Sequence, residues 1–470
     1  MTVLEAAISR VSRMDPVRVE GRVGAVQGLT VLVDDFPVVI GALVAVVAAG
    51  GERLGEVIGF DGRRAIVMML GQTNGIRPGD RVRSEQTQPT VDVGESMLGR
   101  VVNGLCEPID HGPGLHDLHP QPLYPDPIGA MARSRVSQPL PTGVRAIDLM
   151  TTLGRGQRLG IFAGPGVGKS TLLGMIARGT IGGDHGADVN VIGLIGERGR
   201  EVRDFIEQSL GDEGMRRTVV VVSTSDESPL MRVRAANAAC AVAEFFRDSG
   251  RDVMLMIDSI TRLAHAQRQI GLAVGEPPAT RGYTPSVFAT LPVLLERAGS
   301  VRTEDGQNRG SITGLYTTLV EGDDMTEPVA DAVRGILDGH VILSRSLAQK
   351  GYFPAVDVLD SVSRVASEIC SREHIDARQK VASALAAYRD VEELLQIGAY
   401  TPGANPLTDA AVSLKDRMDG VLTQPTDALY SFEESVETLC TLAKEIDILV
   451  ENGRNRAGQQ RAQIAGKRGS

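Results

Sequence analysis

Cysteine is scarce and scattered: Cys106, Cys240, Cys370 and Cys440 form no C-x-x-C pair. Neither a disulfide framework nor a thiolate zinc site is therefore expected, and a reducing cytosol suits the chain. Long apolar runs are also missing. The most apolar stretch, Val38 to Ala49, is interrupted by Gly41 and is too short to span a bilayer, so it reads as strands. Met1 to Arg10 lacks a charged segment followed by an apolar core, and no secretory signal is expected. Positive charge is outweighed: 49 Lys and Arg stand against 59 Asp and Glu, a net charge of −10, which argues against a non-specific grip on a long phosphate backbone. Phe36 and Phe60 are the only Phe, Tyr or Trp before Tyr124, so the N-terminal region offers no platform on which bases could stack.

What is present is enough apolar residue for several cores. With 470 residues and a 42% hydrophobic fraction, about two to four globular domains are expected. Residues 1–16 place Leu4, Ala7, Ile8 and Val11 on one helical face, with Glu5, Arg10 and Arg13 off it. This short amphipathic helix either docks a partner or packs and frays on its own chain. Over residues 17–88 the pattern changes to short apolar runs broken by Gly and Asp, among them Gly28 to Val33, Gly55 to Phe60 and Arg64 to Leu70, which predicts a small β-barrel. A Pro- and Gly-rich segment from Pro89 to Thr142 carries His111, His116 and His119. A solvent-exposed loop is expected there in preference to a metal site, because no periodic element would hold three ligands in order.

The organising stretch follows. Arg158 to Ala163 is an apolar run with strand character, Gly164-Pro165-Gly166-Val167-Gly168-Lys169-Ser170-Thr171 is a glycine-rich loop, and Leu172 to Arg178 is helix-forming. Strand, loop and helix in that order make a phosphate cradle: glycines let backbone N–H groups turn inward, and the helix N-terminus adds partial positive charge. Lys169 is expected on the β- and γ-phosphates and the Ser170 hydroxyl on Mg²⁺. The strict pattern has glycine where Ala163 stands. Further apolar runs at Val189 to Ile195, Val219 to Val222 and Val253 to Ile257 alternate with helical patterns such as Met231 to Arg247, which predicts a parallel sheet covered on both faces with its ligand at the strands' C-terminal ends. Two carboxylates follow such runs. Asp258 has the form of a second nucleotide motif holding Mg²⁺ through its water shell. Glu197 is either a base for the attacking water or part of a charged helix start.

The runs LIGERGREVRDFIE (Leu194 to Glu207), GEPPATRGYTPSVFA (Gly275 to Ala289) and EGDDMTEPVADAVRGILDGHVILSR (Glu321 to Arg345) resemble the export ATPases of type III secretion systems, relatives of the catalytic subunits of rotary F- and V-type ATPases. The resemblance covers about Gly21 to Ile448, and the wording Ala332 to His340 is more similar to the flagellar branch than to the injectisome branch. It implies a multidomain α/β protein in which a RecA-like P-loop domain with a parallel sheet over 89–355 follows the N-terminal β-barrel. Helical spacing of Val381, Leu385 and Tyr388, then of Leu394, Leu395 and Ile397, with a turn at Gly398 and Pro402, predicts a helical C-terminal domain over 356–450, and the basic, Gly- and Gln-rich tail over 451–470 reads as disordered. Members commonly replace the glycine at the Ala163 position.

Residue by residue, the resemblance implies that Glu197 activates water, that Arg198 and Arg262 lie around the γ-phosphate, and that Asp258 is the Mg²⁺-associated aspartate. Phe353 stands where the rotary enzymes stack an aromatic on adenine, with Tyr352 one residue away. Ser361-Val362-Ser363-Arg364 resembles the segment whose arginine finger enters the neighbouring subunit's site; the alternative for Arg364 is a surface salt bridge. The implied activity is Mg²⁺-dependent ATP hydrolysis in a homo-hexamer serving protein export from the cytoplasm at the inner membrane. Implied partners are a coiled-coil stalk protein, a regulatory dimer on the N-terminal helix, a membrane export gate, and export chaperones with their substrates. Two other classes are weighed. A non-catalytic nucleotide-binding subunit would lack Glu197, and a ring-shaped RNA translocase would need the basic, aromatic platform that is missing, so no nucleic acid is expected.

Overall fold

The computed structural model describes residues 19–86, 88–180, 186–302, 308–320, 322 and 324–468. The expected N-terminal helix lies outside them. Glu20–Gln27 (β1), Thr30–Asp34 (β2), Leu43–Ala48 (β3), Gly51–Asp61 (β4), Arg64–Met69 (β5) and Arg81–Gln86 (β6) close a barrel in the order β1-β2-β5-β4-β3-β6. Every pairing is antiparallel. Closure follows from side-chain alternation: Val23, Val31, Val33, Val44, Val46, Val57, Val67 and Val82 point to one interior with Phe36. Gly28, at φ +59°, makes the tight turn between β1 and β2.

The segment after the barrel is more ordered than a plain loop. Thr90–Val93 (β7) pairs with His119–Pro122 (β9), and Val101–Val102 (β8) joins the edge of the large central sheet. His119 lies on β9, its ring stacked near Phe245. Among the described residues no group of three or more His, Cys, Asp or Glu is placed to hold a metal ion.

The central sheet contains Arg158–Ala163 (β10), Val189–Glu197 (β11), Thr218–Thr224 (β12), Asp252–Asp258 (β13), Gly299–Arg302 (β14), Asn308–Leu319 (β15), Gly339–Leu343 (β16) and Val356–Ser363 (β17). Its order is β17-β16-β10-β15-β13-β11-β12-β8, parallel except where β17 meets β16 and β14 meets β15. All nine residues of β11 are buried, as a strand covered on both faces requires. The helix Pro229–Asp248 covers one face; Ser228 caps it by accepting from the Met231 N–H at 3.2 Å, and its alanines let it lie close on β11 and β13. The sheet runs past the expected boundary at 355/356, because β17 pairs with β16. A strand that closes an edge belongs to that sheet whatever follows it in the chain.

Beyond it the helices Arg372–Arg389, Pro406–Ser413, Lys415–Leu422 and Phe432–Arg468 share a core of Val381, Met418, Leu439 and Leu442, onto which Leu149 and Met150 of the central domain pack. Leu394 and Ile397 face solvent, and Gly398 turns the chain at φ +68°. The last helix continues to Arg468 through the stretch expected to be disordered from 451. Arg, Gln and Ala make up most of it, and these straight-chain residues and alanine lose little on entering a helix.

Candidate active site

β10 ends at Ala163 and the next helix is Lys169–Gly179, so Gly164 to Gly168 form the loop between them. Gly166 and Gly168 sit at φ +77° and +93°, and nothing lies within 4 Å of where either Cβ would be. Both are glycine for conformational reasons, and the open space is where an anion would lie. Ser170 and Thr171 are exposed at the helix start.

Lys169 reaches back to two carboxylates. Its Nζ bonds the Asp258 Oδ1 and lies 3.4 Å from the Glu197 Oε1. Asp258, at the end of β13 and 3% exposed, also accepts from the Thr317 hydroxyl at 2.6 Å. The Glu197 Oε2 lies 2.7 Å from the Arg262 Nη1, which also donates to the Gly196 carbonyl. A register shift between Ile195 and Glu197, with Gly196 at φ +75°, re-aims the strand end; a Cβ on Gly196 would stand 3.1 Å from the Arg262 Cδ. Burial first, then the Asp258 charge, push the Glu197 carboxyl up to about 7, against the pull of Lys169. Glu201, one turn on, shares a hydrogen bond with Glu197 and is held below its usual range.

Lys169, Glu197, Asp258 and Arg262 thus converge. Arg198 does not join them: its side chain is 78% exposed and pairs with Glu201 at 3.5 Å. Phe353 borders a cavity of about 260 Å³ beside the loop, with Val167, Gly168, Thr171, Leu343 and Gln424. Tyr352 lies outside that cavity, against the C-terminal helical core. Arg364 follows β17 at the far end of the sheet and is exposed; its backbone N–H donates to the Asp338 carbonyl at 2.9 Å, while its side chain has no hydrogen-bond or ion-pair partner among the described residues.

The donor set suits a nucleotide with a hard cation. One hydroxyl, Ser170, and one carboxylate, Asp258, are available at the glycine loop, and Mg²⁺ is held by few protein oxygens because it keeps much of its water. Thr317 and Gln424 were not anticipated. Each becomes part of the site through contacts across more than 50 residues, Thr317 with Asp258 and Gln424 with Arg145, and no local pattern marks either.

A phosphate loop at the carboxyl edge of a mostly parallel sheet, a glutamate and an aspartate on neighbouring strands and a closed barrel ahead of them define a P-loop ATPase built like the subunits of rotary motors. Residues 143–363 match the nucleotide-binding domain of the ATP synthase alpha/beta family, residues 23–85 its beta-barrel domain, and residues 370–441 the T3SS EscN ATPase C-terminal domain. The flagellum-specific ATP synthase of Bacillus subtilis is 46% identical over 93% of this chain and 98% of its own. The type 3 secretion system ATPase of Xanthomonas euvesicatoria is 47% identical over 90% and 94%. The ATPase EscN of enteropathogenic E. coli, assembled with its central stalk EscO, superposes with a TM-score of 0.82 at 39% identity over 90% of this chain and 100% of its own. The chain belongs to the type III export ATPases of the ATP synthase alpha/beta family.

Proposed function

We propose that this chain hydrolyses ATP in a homo-hexameric ring that energises type III protein export, most similar to the flagellar system, releasing chaperones and unfolding substrates for a membrane gate. The supporting observation is the convergence of Lys169, Glu197, Asp258 and Arg262 beside the loop, with Arg364 held apart from it. Lys169 leaves its carboxylates for the β- and γ-phosphates, and loop N–H groups cradle them. Ser170 and Asp258 would hold Mg²⁺, Asp258 through bound water; when present, the ion neutralises charge on the phosphate oxygens. Glu197 takes the proton of a water whose oxygen bonds to the γ-phosphorus, while the bond to the β,γ-bridging oxygen breaks and its electron pair leaves with ADP. Arg262 holds Glu197 in position, Arg198, next to Glu197 in the chain, would turn to the γ-phosphate only in an assembled ring, and Arg364 serves the neighbour's site. Phe353 stacks on adenine.

The partners follow the relatives: a central stalk, by likeness to EscN with EscO, then a regulatory dimer on the N-terminal helix, the export gate and the chaperones. Among the described residues no helix is long and apolar enough to cross a membrane, in keeping with a cytoplasmic ring attached peripherally to the inner membrane. Use in a virulence injectisome is the second reading, favoured by the near-equal identities of 46% and 47% to relatives of the two branches. ATPase rate against protein concentration tests the enzyme: specific activity should rise with concentration and vanish in Glu197→Ala. A flat profile would sink the ring. Restoration of motility in a strain lacking its flagellar ATPase separates the two export systems.

A further inference from the structure

The wall of the base cavity is brought in from the C-terminal helical domain, and one side chain fastens it. Gln424 is 5% exposed. Its backbone N–H donates to the Phe353 carbonyl at 3.0 Å, so it is tied directly to the aromatic residue of the cavity. Its Oε1 accepts from the Arg145 N–H at 2.8 Å, and its Nε2 donates to the Gly143 carbonyl at 2.9 Å and the Ala428 carbonyl at 3.0 Å. An amide nitrogen has two hydrogens, and here both are used within the protein. The same wall is held from the other side: Arg178, at the end of the phosphate-loop helix, donates to the Thr426 carbonyl at 2.6 Å, and Arg145 donates to the Thr423 carbonyl at 2.6 Å. Gly143 is glycine because it sits at φ +71° with Gly179 and Leu429 both 3.1 Å from where its Cβ would be. The loop helix, the 143–145 turn and the 424–428 wall are thus one close-packed junction.

We propose that Gln424 is a positioning residue for nucleotide binding: it locks the Phe353 wall against the phosphate-loop domain and does not itself read the base. With its donors committed, it cannot donate to the ring nitrogen or exocyclic group that distinguishes adenine from guanine. The remaining cavity lining is mainly apolar, Val167, Leu172, Met175, Leu343 and Pro354 among it. Gln424 therefore acts on affinity for any purine nucleotide alike, through the geometry of the wall. This rests on the ATPase reading above, but its test does not depend on turnover.

The experiment compares the full chain with Gln424→Met, which keeps the length and loses all three side-chain hydrogen bonds, and with Arg178→Met, which loosens the wall from the opposite side. Affinity for mant-ADP and mant-GDP is measured by fluorescence, beside KM and kcat for ATP and GTP. Weakening of both mant nucleotides by a common factor of about 10 in Gln424→Met, with KM rising more than kcat falls and the ATP-to-GTP preference unchanged, is expected. Arg178→Met should show the same signature at smaller amplitude, so a Gln424 variant that fails to fold leaves the test intact. Unchanged affinity in both variants, or a changed adenine-to-guanine preference in Gln424→Met, overturns the proposal. Wild-type protein that binds mant-ADP but never hydrolyses ATP sinks the ATPase reading and leaves this one standing on the binding data.

Discussion

Ser363, the residue before Arg364, pairs with Gly339 at the start of β16, whereas Ala163, the residue before the phosphate loop, pairs with Leu343 at its end. At about 3.3 Å per residue, four residues put roughly 13 Å of strand between the two levels before either the loop or the arginine extends outward. Arg364 therefore lies at the opposite end of the strands from its own chain's phosphate loop, a position that suits the role across the interface proposed for it.

Complementation between two dead variants tests that sharing. Arg364→Ala should lose about 10³–10⁵ in rate, the usual worth of an arginine finger, and Glu197→Ala should be inactive. Mixed in equal amounts, the two should regain activity, because some interfaces then join an intact Glu197 site to an intact Arg364. A mixture as inactive as its parts would show that Arg364 does not act across the interface.

The raised Glu197 carboxyl sets a pH dependence. With nucleotide-free protein titrating at about 7, kcat/KM for ATP should climb with pH through that region as the base form appears. The same shift acts on stability. An unfolded glutamate ionises near its ordinary value of 4.5, so between there and about 7 the folded chain holds a proton that the unfolded chain has lost. The stabilising contribution of that proton is complete below 4.5 and gone above 7. Glu197→Gln, which cannot ionise, should raise Tm at pH 8 relative to wild type and change it little at pH 4.5, while removing about 10²–10⁴ of the rate. A Tm difference of the same size at both pH values would contradict this account.

Gly168→Ala separates folding from phosphate binding. The left-handed conformation at φ +93° costs a non-glycine residue about 1–2 kcal/mol, but no neighbouring atom lies where the methyl would go. A modest loss in Tm with a large loss of mant-ATP affinity is expected. Undiminished affinity would mean that the loop does not cradle phosphate.

Arg234 and Glu56 bind the barrel to the central domain. They are 1% and 5% exposed and 2.8 Å apart, and Glu56 also accepts from the Tyr124 hydroxyl at 3.3 Å. Burial raises the Glu56 carboxyl, and Arg234 opposes that shift. Arg234→Ala leaves a buried carboxylate without its partner and should cost about 3–5 kcal/mol in denaturant unfolding, whereas the double replacement Arg234→Met, Glu56→Leu should recover much of it. Equal loss in the single and double variants would mean that packing, not charge, holds the joint.

The barrel, the parallel sheet and the loop were legible because each follows from a local pattern: valines on alternate positions, unbroken apolar runs, glycines at fixed spacing. β17 was less so. Its alternating surface carries Asp357 and Asp360 and reads as the start of another domain, and only its hydrogen bonds to β16 assign it to the sheet. The tail from 451 was misjudged for a related reason: polar composition says little against a helix that an apolar segment upstream has already nucleated.

Residue order alone specified which chemistry is available, since a P-loop, a glutamate and an aspartate after apolar strands, and an arginine after Val-Ser can be read without coordinates. Placement belonged to the tertiary structure. Lys169 meets Glu197 across 28 residues and Asp258 across 89, the far end of β17 carries Arg364 away from both, and Gln424 lines the cavity beside the loop from another domain. Local sequence encodes torsion preferences and burial patterns, whereas contacts at such separations depend on the strand order the whole chain adopts.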